Sequence, residues 1–266
     1  MNHFGELIKG WRKNRGLSQM DLGFEADISS KHISFLETGR SQPSREMIIR
    51  LSNSLDIPLS ERNVLFSAAG FAEAYSRMDI EQPQMAPVRQ ALEIMLLNHE
   101  PYPAVVFDWN WNIVMMNQAN QMLNSFIQPL QPDFPVTSNI LEMLFDPNGY
   151  RPFVENWQEV ACVILQRLHR EKVMYQDRHS DLLERLMAYP DVPNRWQNSS
   201  NGQASQPMVD VVLNIQGQRL SFFSTLASFG TPIDITMQEL TIESYFPSDQ
   251  ATKQFFEDLP NMLANQ

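Results

Sequence analysis

The stretch SQMDLGFEADISSKHISFLETGR, residues 18–40, constrains the fold more tightly than any other part of the chain. Ser18, with Asp21 three residues on, has the form of a capping box and opens a helix. Leu22 and Ala26 recur at helical spacing. Asp27 then interrupts them, at a corner where a short Asx side chain tolerates left-handed backbone. Ser29 caps a second helix that runs to about Thr38, and Gly39 ends it. Two such short helices cannot bury their own apolar faces, so the flanking segments must cover them. A helix over about Phe4–Asn14 offers Leu7, Ile8 and Trp11. Pro43 and Ser44 start a fourth helix with Ile48, Leu51 and Leu55 as its apolar stripe, and Ser60 caps a fifth that ends at Gly70. Together these predict a compact all-α bundle.

Within that bundle Ile33 and Leu36 point inward. Ser30 with Ser34, and Lys31 with Phe35, are then i,i+4 pairs on the opposite side of the third helix. Hydroxyls bond phosphates or base edges, lysine reaches guanine acceptors, and an aromatic ring can lie on a thymine methyl. The plainer alternative is a solvated lysine and a phenylalanine resting on a loop, with His32 a flank of the bundle. A merely solvated helix has no use for Phe35 there.

Charge divides the chain in the same place. Residues 1–78 hold ten Lys/Arg and nine Asp/Glu, whereas the remainder holds ten against twenty-two. That asymmetry predicts two modules with different partners, the acidic one discouraging non-specific contact with nucleic acid. The single cysteine, Cys162, excludes an internal disulfide framework and fits a reducing compartment. The N-terminus lacks the apolar stretch of a signal peptide, and no run reaches the length of a membrane span. A cytoplasmic protein without membrane contact is expected.

SQMDLGFEADISSKHISFLETGRSQPS resembles the helix-turn-helix of the phage-repressor class (Cro/CI, or XRE), over roughly residues 4–58. The likeness rests on Gln19, Leu22, Ala26, Ile28-Ser29, Ile33-Ser34, Leu36-Glu37, Gly39-Arg40 and Pro43-Ser44. It implies that the third helix lies in the major groove of a double-stranded operator and that Gln19 bonds a phosphate. The candidate DNA contacts are Gln19, Ser29, Ser30, Lys31, Ser34, Phe35 and Arg40. The family pattern also pairs Arg12 with Glu37, a structural role. Two departures stand out: Gly23 where a small alanine is usual, at a cost of up to about 1 kcal/mol of helix propensity, and Asp27 where glycine is usual.

Residues 77–89 mix prolines with polar side chains and predict a boundary. We expect a helix-turn-helix domain over 1–76, a linker and connecting helix over 77–100, and a second domain over 101–266. The connecting helix carries Leu92, Met95 and Leu96, either as internal packing or as a seam between two copies. Beyond it the hydrophobic period alternates. Strands are expected over Ala104–Phe107 and Trp111–Met116, then helices from Asn117, over SNILEMLF, over about Pro152–Gln176 and over SDLLERLMAY. Strand-like runs MVDVVLNI, RLSFFSTLAS and ITMQELTIESYF follow. The fold class is α+β, with one antiparallel five-stranded sheet in the order of elements found in PAS sensor domains.

VVFDWNWNIVMMNQAN, LEMLFDP, WQEVA, the Arg195-Trp196 pair and LTIESYFPSDQAT make this half resemble the ligand-binding domain of MmyB-type transcription regulators. The resemblance implies a PAS-like pocket between sheet and helices, and at least one family member is associated with a fatty acid. Candidate pocket residues, by size and polarity, are Trp111, Met116, Asn117, Met143, Phe145, Trp157, Phe222 and Phe223; for any one of them plain core is the better reading. Fifteen methionines suit an adaptable apolar cavity.

No residue pattern points to catalysis. Neither HExxH nor paired cysteines are present for a metal, and Cys162 and His169 lie about 10 Å apart along one helix. A phage-type repressor with a self-cleaving Ser/Lys dyad would have to draw on Lys172 or Lys253. The expectation is therefore a non-enzymatic, sequence-specific regulator, dimeric, without cofactor, and controlled by a small apolar ligand that could be fatty-acid-like. The alternatives are a DNA-tethered enzyme acting on a small molecule and a repressor whose second domain binds protein.

Overall fold

Capping geometry shapes the N-terminal helices. The computed structural model of the chain describes residues 3–175, 179–194, 196–198 and 209–264, so Arg195 lies outside the described residues. Helix α1 spans His3–Asn14, α2 Gln19–Glu25, α3 Ser30–Glu37, α4 Arg45–Ser54 and α5 Leu59–Ala68. Ser18 and Asp21 form the reciprocal capping box, Ser29 caps α3 and Ser44 caps α4. Asp27 takes the left-handed corner at φ 52°. Ile8, Trp11, Leu22, Ile33, Leu36, Ile48, Leu51 and Leu55 are buried in one core.

Helix α5 departs from expectation. Ser60 lies inside it and Pro58 stands at the cap position without a side-chain hydrogen bond. The orphan Leu59 N–H is taken instead by the Gln238 side-chain oxygen at 2.7 Å, which satisfies a donor that a helix start leaves open. Gln238 belongs to this unit although it lies far along the chain. The first compact unit comprises residues 1–79, 172–178 and 230–238; the second comprises 80–171, 179–229 and 239–266. Both added segments fall within the stretch expected to form the second domain alone. Tyr175 sets its ring edge-on to Trp11 at 6.4 Å, and Ser76 donates to Asp234 at 2.7 Å.

Along the chain after residue 79, α6 spans Ala86–Asn98, followed by β1 Ala104–Phe107, β2 Ile113–Met116, α7 Gln118–Ile127, α8 Ile140–Phe145, α9 Trp157–Met174 and α10 Ser180–Met187. Next come β3 Val211–Ile215, β4 Gln218–Ser228, α11 Ile235–Glu239, β5 Thr241–Pro247 and α12 Gln250–Ala264. The five strands form one antiparallel sheet ordered β2-β1-β5-β4-β3. Strand β1 is buried on both sides. Ala104 and Val106 pack with Leu92 and Leu96 of α6, whereas Val105 and Phe107 join the large core containing side chains of α7 to α10 and α12. In α6, Leu92 and Leu96 are thus internal packing, while Met95 stays exposed.

Three expectations need correction. ITMQE is helical rather than extended, because Asp234 accepts the Thr236 N–H at 2.8 Å and caps α11. The long helix begins at Trp157 and not near Pro152, since Arg151–Phe153 forms a 3-10 turn and Val154 bridges to Leu213 of β3. Trp111 is not yet strand; its φ of 66° closes the turn before β2. Helix α12, unforeseen, is started by Asp249, which accepts the Thr252 N–H at 2.7 Å, and it buries Phe255, Phe256 and Leu259.

Candidate DNA interface and ligand-binding face

Helix α3 is fixed from behind and open in front. Ile33, Leu36 and Glu37 are buried, whereas Ser29, Ser30, Lys31 and Arg40 are exposed and Ser34 and Phe35 half-buried. The Phe35 ring lies between two cations, Lys31 Nζ at 5.7 Å and the Arg40 guanidinium at 6.0 Å. Such cation–π contacts hold the long side chains near the helix surface. A depression of about 390 Å³ at the α2–α3 corner is lined by Met20, Gly23, Phe24, Asp27, Ile28, Ser29 and Ser30. Met20 and Phe24 on α2, 72% and 89% exposed, were not among the residues expected at this surface.

Besides their shared apolar core, α1 and α3 are joined by a buried ion pair. Arg12 donates to Glu37 from Nε at 2.6 Å and from Nη2 at 3.0 Å, and its Nη1 donates to the Leu17 carbonyl at 2.8 Å. Gln19 adds a third donor to Glu37 at 2.8 Å. Burial pushes the Glu37 carboxyl up, but the Arg12 and Gln19 hydrogen bonds outweigh it and hold the carboxyl below its ordinary value. Gln19, expected at a phosphate, is thus oriented by Glu37. An amide NH2 has two hydrogens, and one is spent on that bond.

The second unit offers a different surface. Strand alternation sends Glu243 and Tyr245 to the same side as Val105, because Val105 pairs with Glu243 across β1–β5. The β4–β5 register adds Ser224 opposite Tyr245 and Leu226 opposite Glu243. Ser224 and Tyr245 thus stand beside Glu243 on one face of the sheet. Burial raises the Glu243 carboxyl above its usual range, and burial with the neighbouring Glu243 raises Tyr245 well above its own. Tyr150, also raised by burial, donates its hydroxyl to Asn124, whose amide lies 3.7 Å from the Met116 sulfur. On α9, the Arg167 guanidinium stacks 4.5 Å over Trp111 and its Nε bonds Glu171 at 2.9 Å.

A helix-turn-helix family model matches residues 8–62, and the model of the MmyB-like transcription regulator ligand binding domain matches residues 88–259. The chain belongs to the MmyB-like family. It is a DNA-binding transcription regulator with a ligand-binding domain. A comparison with curated proteins returned no match. Among the described residues no helix is long and apolar enough to cross a membrane, and no group of three or more His, Cys, Asp or Glu could hold a metal ion.

Within the MmyB-like domain the expected pocket residues occupy different places. Trp111, Phe145, Trp157 and Phe222 are buried in the large core, with Met116 half-buried against it. Trp111 stacks on Phe107 at 4.5 Å, and Phe145 meets Trp157 edge-on at 4.8 Å. Asn117 is a structural cap. Its side-chain oxygen accepts the Ala104 and Asn120 N–H groups, and its amide donates to Tyr102 O at 2.7 Å. Met143 is half-buried, its carbonyl receiving the Tyr150 N–H at 2.8 Å. Phe223 points to the other side of the sheet from Phe222 and stacks on Phe246 at 5.2 Å. Glu243, Tyr245, Ser224 and Arg167 were not among the expected residues. The available signal was alternation in TIESYFP, which places one carboxylate in register with inward-facing positions.

Proposed function

We propose that this MmyB-like regulator reads a specific duplex operator through α3, as a dimer acting in the cytoplasm, without enzymatic activity. The observation that carries the reading is the exposed face of α3, where Lys31 and Arg40 flank Phe35 and short hydroxyls stand on either side. Lys31 and Phe35 read base edges, Ser29, Ser30 and Ser34 bond phosphates or bases, and Gln19 and Arg40 hold the backbone. Replacing Lys31 or Phe35 by alanine is expected to cost about 1–3 kcal/mol on the specific site and little on random duplex. Gln19→Ala weakens both alike, since phosphate contacts position the protein rather than specify sequence. Fluorescence-anisotropy titrations against operator and scrambled duplexes measure the difference. Equal losses on both for Lys31→Ala would assign it to the phosphate backbone.

The domain over residues 88–259 controls that binding through a small, mostly apolar ligand, for which a fatty-acid-like chain is one candidate. Support comes from the helix-facing side of the sheet, where Met116, Ile113, Phe126, Phe134 and Ile164 remain half-buried around a closed core. The strand order and the helices on that side favour a PAS-like arrangement of the pocket.

A further inference from the structure

Strand β4 outruns its neighbour β3. On one side β5 pairs with it from Phe222 to Ser228, whereas on the other β3 reaches only from Gln218 to Phe222. The turn between β3 and β4 fixes which backbone groups face outward beyond that point. Gln216 and Gly217 both take positive φ, 52° and 88°, as a type I′ hairpin turn requires, so Ile215 and Gln218 close it as a hydrogen-bonded pair. Alternation then directs the backbone groups of Gln218, Leu220 and Phe222 towards β3 and those of Arg219, Ser221 and Phe223 towards β5. Accordingly, the Ser221 carbonyl accepts the Ser248 N–H at 2.8 Å, just past the end of β5. The register runs unbroken to Ser228. The N–H and C=O groups of Ser224, Leu226 and Ser228 therefore point away from β5, past the start of β3, and among the described residues no other strand or loop pairs with them.

Sheet edges are templates for a further strand, and proteins ordinarily blunt them. The two outermost strands here are blunted by loops. Val154 bridges to Leu213 and the Glu155 N–H bonds the Val212 carbonyl at 2.8 Å along β3. Beside β2, the Ser138 carbonyl takes the Ile113 N–H at 2.7 Å. The far half of β4 has no such cover. Ser224, Thr225, Leu226, Ala227 and Ser228 are all exposed, and they include no charge, no proline and no bulge.

We propose that this edge is where two copies of the chain join, β4 pairing antiparallel with β4 of the other copy across a two-fold axis at Leu226. Centred there, the outward groups form a closed set. Leu226 exchanges two hydrogen bonds with its counterpart, and Ser224 exchanges two with Ser228 of the other copy at each end of the stretch. Each outward N–H and C=O then has a partner. Side chains opposite one another are Leu on Leu, Ser on Ser and Thr on Ala. Two chains of net charge -11 thus meet where no like charges oppose, and Leu226, 43% exposed in the single chain, is covered by itself. Such a contact is isologous and closes at two copies. This rests on the reading of the regulator as a dimer and specifies where its copies meet.

Sedimentation equilibrium of the full-length protein over a range of concentrations, without DNA, measures the association. Leu226→Pro deletes the N–H that each copy places at the axis and spares the β4–β5 ladder, so the monomer–dimer Kd should rise about tenfold or more. Should proline disturb the strand, Leu226→Lys sets two like charges across the axis and should also weaken association. Cys162, the native cysteine, is buried. A short bis-maleimide should therefore join two copies of Leu226→Cys but not of Gln216→Cys, at the hairpin turn. Association unchanged by both Leu226→Pro and Leu226→Lys would overturn the edge pairing and leave a dimer built elsewhere. A wild-type protein that stays monomeric at every concentration would overturn both, and would leave the edge to a strand of another protein.

Discussion

Glu37 receives three side-chain hydrogen bonds, two from Arg12 and one from Gln19, with its side chain 2% exposed. A buried pair of this kind adds little over an apolar pair, but breaking it strands a charge. Arg12→Ala is therefore expected to destabilise the first unit by about 3–5 kcal/mol, read from urea melts of the full chain. The pH dependence has a definite sign. Because the Glu37 carboxyl is held below its ordinary value, its contribution is complete above the unfolded value and is lost as pH falls through the folded one. Arg12→Ala should remove that acid-side slope. An unchanged melting curve at neutral pH would show that the pair contributes nothing. The pairing of Arg12 with Glu37 was legible from the helix-turn-helix pattern. The engagement of Gln19 by Glu37 was not, since sequence spacing does not say which acceptor an amide finds first.

The α2–α3 corner turns on Gly23. A Cβ built there would meet the Ile28 carbonyl oxygen at 2.6 Å and the Ser30 nitrogen at 3.2 Å, both backbone atoms. Helix propensity alone predicts that Gly23→Ala gains about 1 kcal/mol. Overpacking against backbone that cannot swing aside costs about 1–3 kcal/mol, so the substitution should lower the melting midpoint. A higher midpoint would mean that the corner opens at no cost. The capped helices of the first unit could be located from Ser18, Ser29 and Ser44, because their caps are local. Helix α11 could not, since ITMQEL alternates like a strand and only the Asp234 cap decides otherwise. The pocket residues were the least legible. Large side chains such as Phe145 and Trp157 suit a core as well as a cavity, and the side of the sheet to which Glu243 turns is identified only by strand register.

Taken as one molecule, a regulator of this kind works through linkage: a ligand shifts operator affinity by no more than its differential affinity for the two states. Titrating operator DNA with and without saturating ligand should give a change of about 5–150-fold, and titrating ligand with and without operator should return the same factor. Unequal factors would rule out a two-state equilibrium shared by both sites; a factor of one would separate sensing from DNA binding. The DNA-reading unit is also not a continuous piece of chain. The amide that opens α5 is satisfied by a glutamine 179 residues downstream, and Trp11 meets Tyr175. On the ribosome, the bundle emerges first but acquires these partners last. A nascent chain halted before Gln238 carries an unfinished reader, so the unit that binds DNA is completed only after most of the sensor has been made.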